Sequence, residues 1–227
     1  MKLSEKTIAI LKNFSSINSG IAFKAGNKIS TVSPQKNILA DAVIDETIPR
    51  DFCIYDLNNF LSALSLFKDG AELAFDDKNV LIKNSSDTRT SIKYRFTDPS
   101  MVIGAPDKRP NIQEVDVSFT FTEADFNWIT KTASVLGCPN IAIESDGNVV
   151  SITTFDANND SAHVNTTNLS NMEGNGKNYK LIFKTENLKM IPGEYDVEIS
   201  SRGIAKFIGK SEDIVYFVTL ETSSYYN

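Results

Sequence analysis

The chain has 227 residues, of which 41% are hydrophobic and 23% are charged, and its formal net charge at pH 7 is −6. This composition is typical of a soluble globular protein, and no apolar run approaches the ~20 residues that a membrane-spanning helix needs. The acidic balance argues against a protein that coats nucleic acid, but it allows one that touches DNA with a single face.

The first predicted element is an amphipathic helix that Ser4 caps and that runs to about Ile17. Three short strands follow at residues 21–24, 28–32 and 38–44. Turn residues separate them, which suits an antiparallel meander.

Residues 52–66 change period from a strand-like apolar run to helical spacing. Asp56 is placed to cap the helix, whose apolar face consists of Phe60, Leu61, Leu64 and Phe67. The other face has small polar side chains and no carboxylate, as expected of a helix that lies against a polyanion. Further strands are predicted at residues 71–75, 80–83 and 91–96.

Proline and glycine then interrupt regular structure over a connector, through Pro99, Gly104, Pro106 and Pro110. Each half is long enough to form its own core. The predicted organisation is therefore an N-terminal domain at residues 1–98, a connector at 99–112 and a C-terminal domain at 113–227.

The connector contains three consecutive apolar residues, Met101, Val102 and Ile103. In one interpretation they pack on a sheet and fasten the connector. In the other they form an exposed apolar ledge that binds a partner peptide. Tyr225 and Tyr226, on a polar C-terminal tail, are a second candidate for partner binding.

The second half has the same kinds of element. A helix that Thr122 caps, with Asp125 three residues later, runs to Gly137. A strand, a cap at Thr185 and a short helix are predicted over residues 181–191, and Pro192 stops the helical pattern. The other predictions are strands at 115–121, 141–144, 149–155, 162–167, 195–200, 204–208 and 215–220, and a polar loop at 168–178.

The order of elements repeats between the halves. In both, a helix is followed by a predicted hairpin with a Gly-Asn pair, at Gly26 and at Gly147, and later by a strand-to-helix unit. We therefore predict an α+β protein of two similar domains. Each would be a duplicated βαβββ unit with helices on one side of antiparallel sheets.

Few residues suit catalysis or metal binding. The single histidine, His163, has no Cys, Asp or Glu at metal-ligand spacing. Cys53 and Cys138 lack disulfide-framework spacing and are predicted to be structural thiols. No phosphate-binding loop, nucleophile elbow or dinucleotide fingerprint is present, so we predict no metal, no cofactor and no enzymatic activity.

Three motifs carry a resemblance to a known family. They are Met1-Lys-Leu-Ser4 with Ala9-Ile-Leu-Lys-Asn-Phe14, Ile54-Tyr-Asp-Leu-Asn58 with Leu64-Ser-Leu66, and Asn187-Leu-Lys-Met190 with Pro192-Gly193 and Tyr195. In these residues the chain resembles the sliding clamps of large tailed bacteriophages. Those clamps are the processivity factors of the phage replicative DNA polymerases.

The resemblance implies a head-to-tail homotrimer, a ring with helices around the hole and sheets outside. Such a ring encircles duplex DNA without reading its sequence and binds the DNA polymerase, an ATP-driven clamp loader and late transcription factors. ATP hydrolysis belongs to the loader. The implied location is the cytoplasm of the infected bacterial host, and the N-terminus lacks signal-peptide features.

The resemblance also implies site residues. The lysines expected on the helices around the hole are Lys6, Lys12, Lys68, Lys131 and Lys189. At the subunit interface, residues 91–96, with Ile92 and Tyr94, would pair with a neighbour's residues 162–168, with Val164 and Thr166. These helices are less basic than is usual for clamps. The alternative interpretation of the whole chain is a β-rich structural virion protein that does not bind DNA.

Overall fold

The computed structural model describes residues 1–67, 70–84 and 89–227, with only the backbone described at 170, 171 and 173. The chain divides into two compact units, Met1–Arg109 and Pro110–Asn227. The division falls inside the segment predicted as a connector. In the described ranges, no helix combines the length and the apolar character that crossing a membrane requires.

The first unit begins with an isolated bridge between Lys2 and Glu72, so the first strand of the predicted repeat is reduced to one residue. Its elements are α1 (Glu5–Ile17), β1 (Ile21–Phe23), β2 (Gly26–Val32), β3 (Ile38–Ile48), β4 (Phe52–Ile54), α2 (Leu57–Ser65), β5 (Ala71–Phe75), β6 (Asn79–Asn84) and β7 (Ser91–Arg95). Its antiparallel pairings are β1 with β4, β2 with β3, and β6 with both β5 and β7.

The predicted start of α1 is confirmed. Ser4 Oγ accepts a hydrogen bond from the Thr7 amide at 3.2 Å, and Thr7 Oγ1 donates to Glu46 Oε2 at 2.6 Å. Burial alone would raise the pKa of Glu46. Hydrogen bonds from Thr7 and Ser4 outweigh the burial and hold that pKa below its ordinary value. The first turn of α1 is therefore fastened to β3.

The strand, cap and helix predicted over residues 52–66 are also confirmed. Asp56 Oδ1 accepts a hydrogen bond from the Asn59 amide at 2.9 Å, and the buried side chains of α2 are Leu57, Phe60, Leu61 and Leu64. The Tyr94 hydroxyl donates to the Asp56 carbonyl at 3.0 Å, and its ring meets Phe60 edge-on at 5.2 Å. These contacts fix α2 against β7.

The second unit contains one α-helix and nine strands among its described residues: β8 (Val117–Phe121), α3 (Glu123–Leu136), β9 (Asn140–Asp146), β10 (Val149–Phe155), β11 (Asn165–Glu173), β12 (Asn178–Lys184), β13 (Tyr195–Ser200), β14 (Ile204–Gly209), β15 (Ile214–Thr219) and β16 (Tyr225–Tyr226). One antiparallel sheet has the order β11-β10-β9-β12-β16. The other strands of this unit are also antiparallel: β13 pairs with β8 and β14, and β14 also pairs with β15.

The predicted ends of α3 are confirmed. Thr122 Oγ1 accepts a hydrogen bond from the Asp125 amide at 3.1 Å, as the cap prediction requires. Gly137 ends the helix with φ of 66°. Glycine suits this position because it has no Cβ to clash in the left-handed conformation.

The prediction for residues 162–178 is wrong in part. The strand β11 begins only at Asn165 and continues to Glu173, through residues predicted as a polar loop. It pairs with β10, Thr166 opposite Thr153, and Leu169 is buried. Polar residues with low strand propensity form a strand here because the neighbouring strand supplies the pairing.

The short helix predicted over residues 186–191 is replaced by a single 3₁₀ turn, Thr185–Asn187. Thr185 does not cap a helix, because its Oγ1 donates instead to the Cys138 carbonyl at 2.8 Å. Pro192 also disfavours the helical conformation of the residue before it. The second βαβββ unit of the C-terminal domain therefore keeps its order of elements but has a 3₁₀ turn in place of its helix.

The two cysteines are buried and unpaired. Burial raises the pKa of the Cys53 thiol, so the thiol stays protonated at neutral pH. The prediction of structural thiols is confirmed.

Candidate nucleic-acid and partner interfaces

The outward faces of α1 and α2 are small and carry little charge. Their exposed residues are Glu5, Ala9, Lys12 and Ser16 on α1, and Asn58, Asn59, Ser62 and Ser65 on α2. The Ser62 and Ser65 hydroxyls donate to carbonyls of their own helix, at 2.8 and 2.7 Å. The uncharged α2 face can lie against a polyanion without like-charge repulsion, whereas the α1 face carries one carboxylate, Glu5, besides Lys12.

The outward face of α3 carries a lysine at the position equivalent to Lys12. When the buried faces of α1 and α3 are aligned, Phe14 corresponds to Ala133 and Lys12 corresponds to Lys131. Both lysines are exposed. The internal repeat therefore places one outward lysine at the same point of two helices.

The other three lysines that were predicted to lie on the helices differ in position and exposure. Lys6 lies on α1 and is half-buried. Lys189 is exposed, but it follows a 3₁₀ turn, so its predicted place on a helix is wrong. Lys68 lies outside the described residues.

The apolar residues of the connector divide between the two interpretations. Met101 and Ile103 are 60% and 47% exposed. Val102 is half-buried, and its Cγ1 lies 3.2 Å from where a Cβ on Gly20 would stand. Asn18 Nδ2 donates to the Ile103 carbonyl at 3.0 Å. Val102 and Asn18 thus fasten the connector, while Met101 and Ile103 form an exposed pair that we call the connector ledge.

A partly buried ion pair holds the far end of the connector. Arg109 Nε and Nη2 donate to the two carboxylate oxygens of Asp41 at 2.5 and 2.7 Å, and Ser30 Oγ donates to Asp41 Oδ1 at 2.6 Å. Burial alone would raise the pKa of Asp41. The hydrogen bonds from Arg109 and Ser30 outweigh the burial and hold it below its ordinary value.

Replacing Arg109 with methionine is expected to lower the free energy of unfolding by about 2 kcal/mol, because the buried Asp41 then keeps only Ser30 and Lys28 as partners. The stabilisation from Asp41 is present above its ordinary pKa and is lost as pH falls through its lowered folded-state pKa. The difference between wild type and Arg109→Met in urea denaturation should therefore shrink below about pH 4. Lys108→Met is the matched control, and an equal loss in that variant would contradict the assignment.

The C-terminal tyrosines belong to a sheet. In β16, Tyr226 lies opposite Tyr179 of β12, and the two rings stack with centroids 5.5 Å apart. The Tyr226 hydroxyl donates to the Asp116 carbonyl at 3.3 Å. Tyr225 is 45% exposed. The prediction of a polar tail that carries both rings is wrong for Tyr226, and Tyr225 alone is exposed.

The strands predicted to join subunits lie at the edges of their sheets, β7 in the first unit and β11 in the second. On β7, Ile92 and Tyr94 are half-buried, whereas the exposed side chains are Ser91, Lys93 and Arg95. Thr166 is an exposed residue of β11. Val164 is 58% exposed, but it precedes β11, so its predicted place in a strand is wrong.

Both halves of the chain match known families. Residues 2–103 match the family described as DNA polymerase processivity factor, and residues 118–222 match the family described as gp45 sliding clamp, C terminal. The sliding clamp of Vibrio phage KVP40 is 32% identical over 97% of this chain and 99% of its own length. The chain belongs to the sliding clamp family. The sliding clamp of Enterobacteria phage T4 is 35% identical to this clamp over 99% of this chain and 98% of its own length.

Solved structures show the same fold at lower identity. The proliferating cellular nuclear antigen of Entamoeba histolytica superimposes on the clamp with a TM-score of 0.68, at 18% identity over 94% of each chain. The A. fulgidus PCNA solved with the C-terminal region of FEN-1 gives a TM-score of 0.70, at 14% identity over 99% of this chain and 98% of its own. The predicted α+β clamp fold is confirmed.

Family membership makes the clamp a DNA polymerase processivity factor, as predicted, and the interpretation as a structural virion protein is set aside. Sequence reasoning missed the Arg109–Asp41 pair. Its partners are 68 positions apart, so no local motif signals it. The only available signal was the presence of an arginine at the end of a proline-rich connector.

Proposed function

We propose that the clamp closes into a head-to-tail ring of three copies that encircles duplex DNA and tethers the replicative polymerase. The observation that carries the proposal is the family match, which covers both units of the chain. The hole of this ring is lined by the outward faces of α1, α2 and α3, and the sheets form its outer surface.

The helix faces suit binding that does not depend on base sequence. Lys12 and Lys131 each occur three times in the ring and attract phosphates as point charges. On α2, the exposed side chains are amides and hydroxyls, and none of them is charged. Contacts of this kind hold DNA without fixing its register, which permits sliding, and they weaken as salt rises.

The subunit joint pairs β7 of one copy with β11 of the next, so that neither edge stays open. Charge supports the head-to-tail arrangement. The unit Met1–Arg109 has 15 Lys and Arg against 13 Asp and Glu, and Pro110–Asn227 has 8 against 16. The net charges are thus +2 and −8, and unlike units attract as a joint forms.

The partners act on the outside of the ring. The connector ledge receives short apolar peptides from the polymerase, from an ATP-driven clamp loader and from late transcription factors, and the exposed Tyr225 is a second contact. Three copies of one ledge retain weakly bound tails through multiple attachment. The clamp itself has no catalytic residue, metal or cofactor in this scheme, and it works in the cytoplasm of an infected bacterial host.

Mass photometry at low concentration and DNA trapping test the ring. We expect a species of about three times the 25.1 kDa chain mass. Loaded with clamp loader and ATP, it should stay on nicked circular plasmid and leave when the plasmid is cut. A monomer at all concentrations, or equal retention on linear DNA, would contradict the ring. An oligomer that circular DNA never traps would contradict the encirclement of DNA while leaving the oligomeric state standing.

Replacing Met101 and Ile103 together with alanine is expected to weaken binding of a fluorescent polymerase-tail peptide by about thirtyfold, because such anchors are commonly worth ~2 kcal/mol. Both side chains are exposed, so the melting temperature should change little. Fluorescence anisotropy measures the peptide affinity.

The matched control is Val102→Ala, which removes the half-buried neighbour of the ledge. It should lower the melting temperature while the peptide affinity stays near that of wild type. If the double variant binds the peptide as wild type does, the connector ledge is not the partner site. Tyr225→Ala then tests the remaining candidate.

A further inference from the structure

The tryptophan of α3 occupies an unusual position. Trp128 is the only tryptophan in the chain, and it is 54% exposed. It lies three residues before Lys131, and residues at this spacing are neighbours on a helix surface. At the equivalent position α1 has Ala9, which is also exposed. A large aromatic ring therefore stands beside one of the two repeated outward lysines.

The surroundings of Trp128 favour an anionic ligand. The carboxylate of Asp125, three residues before Trp128, is half-buried and accepts a hydrogen bond from Thr122 Oγ1 at 2.6 Å. Residues 126–135 contain no carboxylate, and their single charge is Lys131. Across the described ranges, no hydrogen bond or ring contact engages the indole of Trp128. Its N–H is therefore an available donor, and its ring is an available apolar surface.

We propose that Trp128 contacts the sugar–phosphate backbone of duplex DNA inside the ring. The indole N–H donates to a phosphate oxygen, and the ring packs on the adjoining deoxyribose. This inference rests on the proposed function, because it needs the outward face of α3 to line the hole. It adds a contact that does not depend on counterion release, at helix faces that carry few lysines.

Salt dependence separates this contact from a purely electrostatic one. Trp128→Ala is expected to lower affinity for a short linear duplex by about fivefold (~1 kcal/mol). The slope of log affinity against log salt should stay as in wild type. Lys131→Gln, the matched control, should flatten that slope because it removes a phosphate contact. Trp128→Phe keeps an aromatic ring without the N–H and should lie between wild type and Trp128→Ala.

Because Trp128 is the only tryptophan, its fluorescence reports this position alone. The trimer is titrated with a fluorescein-labelled linear duplex at low salt, and anisotropy records binding. A parallel titration with unlabelled duplex records tryptophan emission and acrylamide quenching. We expect binding to quench the emission and to shield the indole from acrylamide, and added salt should reverse both effects.

The outcomes are distinguishable. Duplex binding with unchanged emission and unchanged acrylamide quenching would overturn this inference and leave the ring standing. Shielding that accompanies trimer formation without DNA would place Trp128 in a subunit joint, which also overturns it. Absence of any duplex binding at low salt would contradict the proposed encirclement of DNA and this inference together.

Discussion

Reversing the charge of Lys12 and Lys131 together is expected to abolish stimulation of the polymerase and to lower affinity for duplex DNA roughly 100-fold at low salt. These are the exposed lysines of α1 and α3, and the ring repeats each of them three times. The double variant Lys12→Glu with Lys131→Glu replaces attraction for phosphates by repulsion at every copy. Exposed substitutions usually change stability by no more than about 0.5 kcal/mol, so the fold should persist.

The measurements are processive synthesis on primed circular DNA, the salt dependence of duplex binding, and thermal unfolding. Lys36→Glu with Lys177→Glu is the matched control, because it makes the same change of charge at one exposed loop lysine in each unit. The control should keep most of the activity. Full activity and an unchanged salt slope in Lys12→Glu with Lys131→Glu would show that α1 and α3 do not face DNA.

A proline in β11 is expected to convert the trimer into folded monomers at low concentration. Alternate amides of an antiparallel edge strand point toward the open edge. One of Thr166→Pro and Thr167→Pro therefore removes a donor that faces the neighbouring copy, and the other removes a donor that bonds to β10. The first should lose the trimer while keeping its melting profile, and the second should destabilise the second unit.

Mass photometry and circular dichroism separate these effects. Thr166→Ala and Thr167→Ala retain both amides and should remain trimeric. Val164→Pro is a further control, since Val164 precedes β11 and offers no ladder amide. If Thr166→Pro and Thr167→Pro are both folded trimers at low concentration, β11 does not form the joint.

Local sequence predicted the elements whose signals lie within a few residues. Ser4, Asp56 and Thr122 cap helices because each side chain reaches an amide three residues ahead. Gly137 ends α3 because the left-handed conformation suits glycine. The outward lysines Lys12 and Lys131 follow from helical periodicity, so part of the candidate site was also predictable.

Elements that depend on distant partners were not predictable in this way. Residues 168–173 become strand because β10 pairs with Asn168 and Glu173, on either side of a register shift. Tyr226 joins a sheet because Tyr179 offers a ring on which to stack. Thr185 is a residue type that commonly caps helices, but its hydroxyl donates a hydrogen bond to the Cys138 carbonyl. Local propensity is weak compared with these long-range contacts.

By itself the sequence determined the order of the repeated units, the three helix caps and the family. The tertiary structure alone decided which residues of the connector are exposed. Met101 and Ile103 point outward because Val102 packs beside Gly20 and Asn18 holds the backbone. Three consecutive apolar residues show no alternation of polar and apolar positions, so the sequence does not predict which of them is buried. The burial of each depends on the surface that the folded chain brings beneath it.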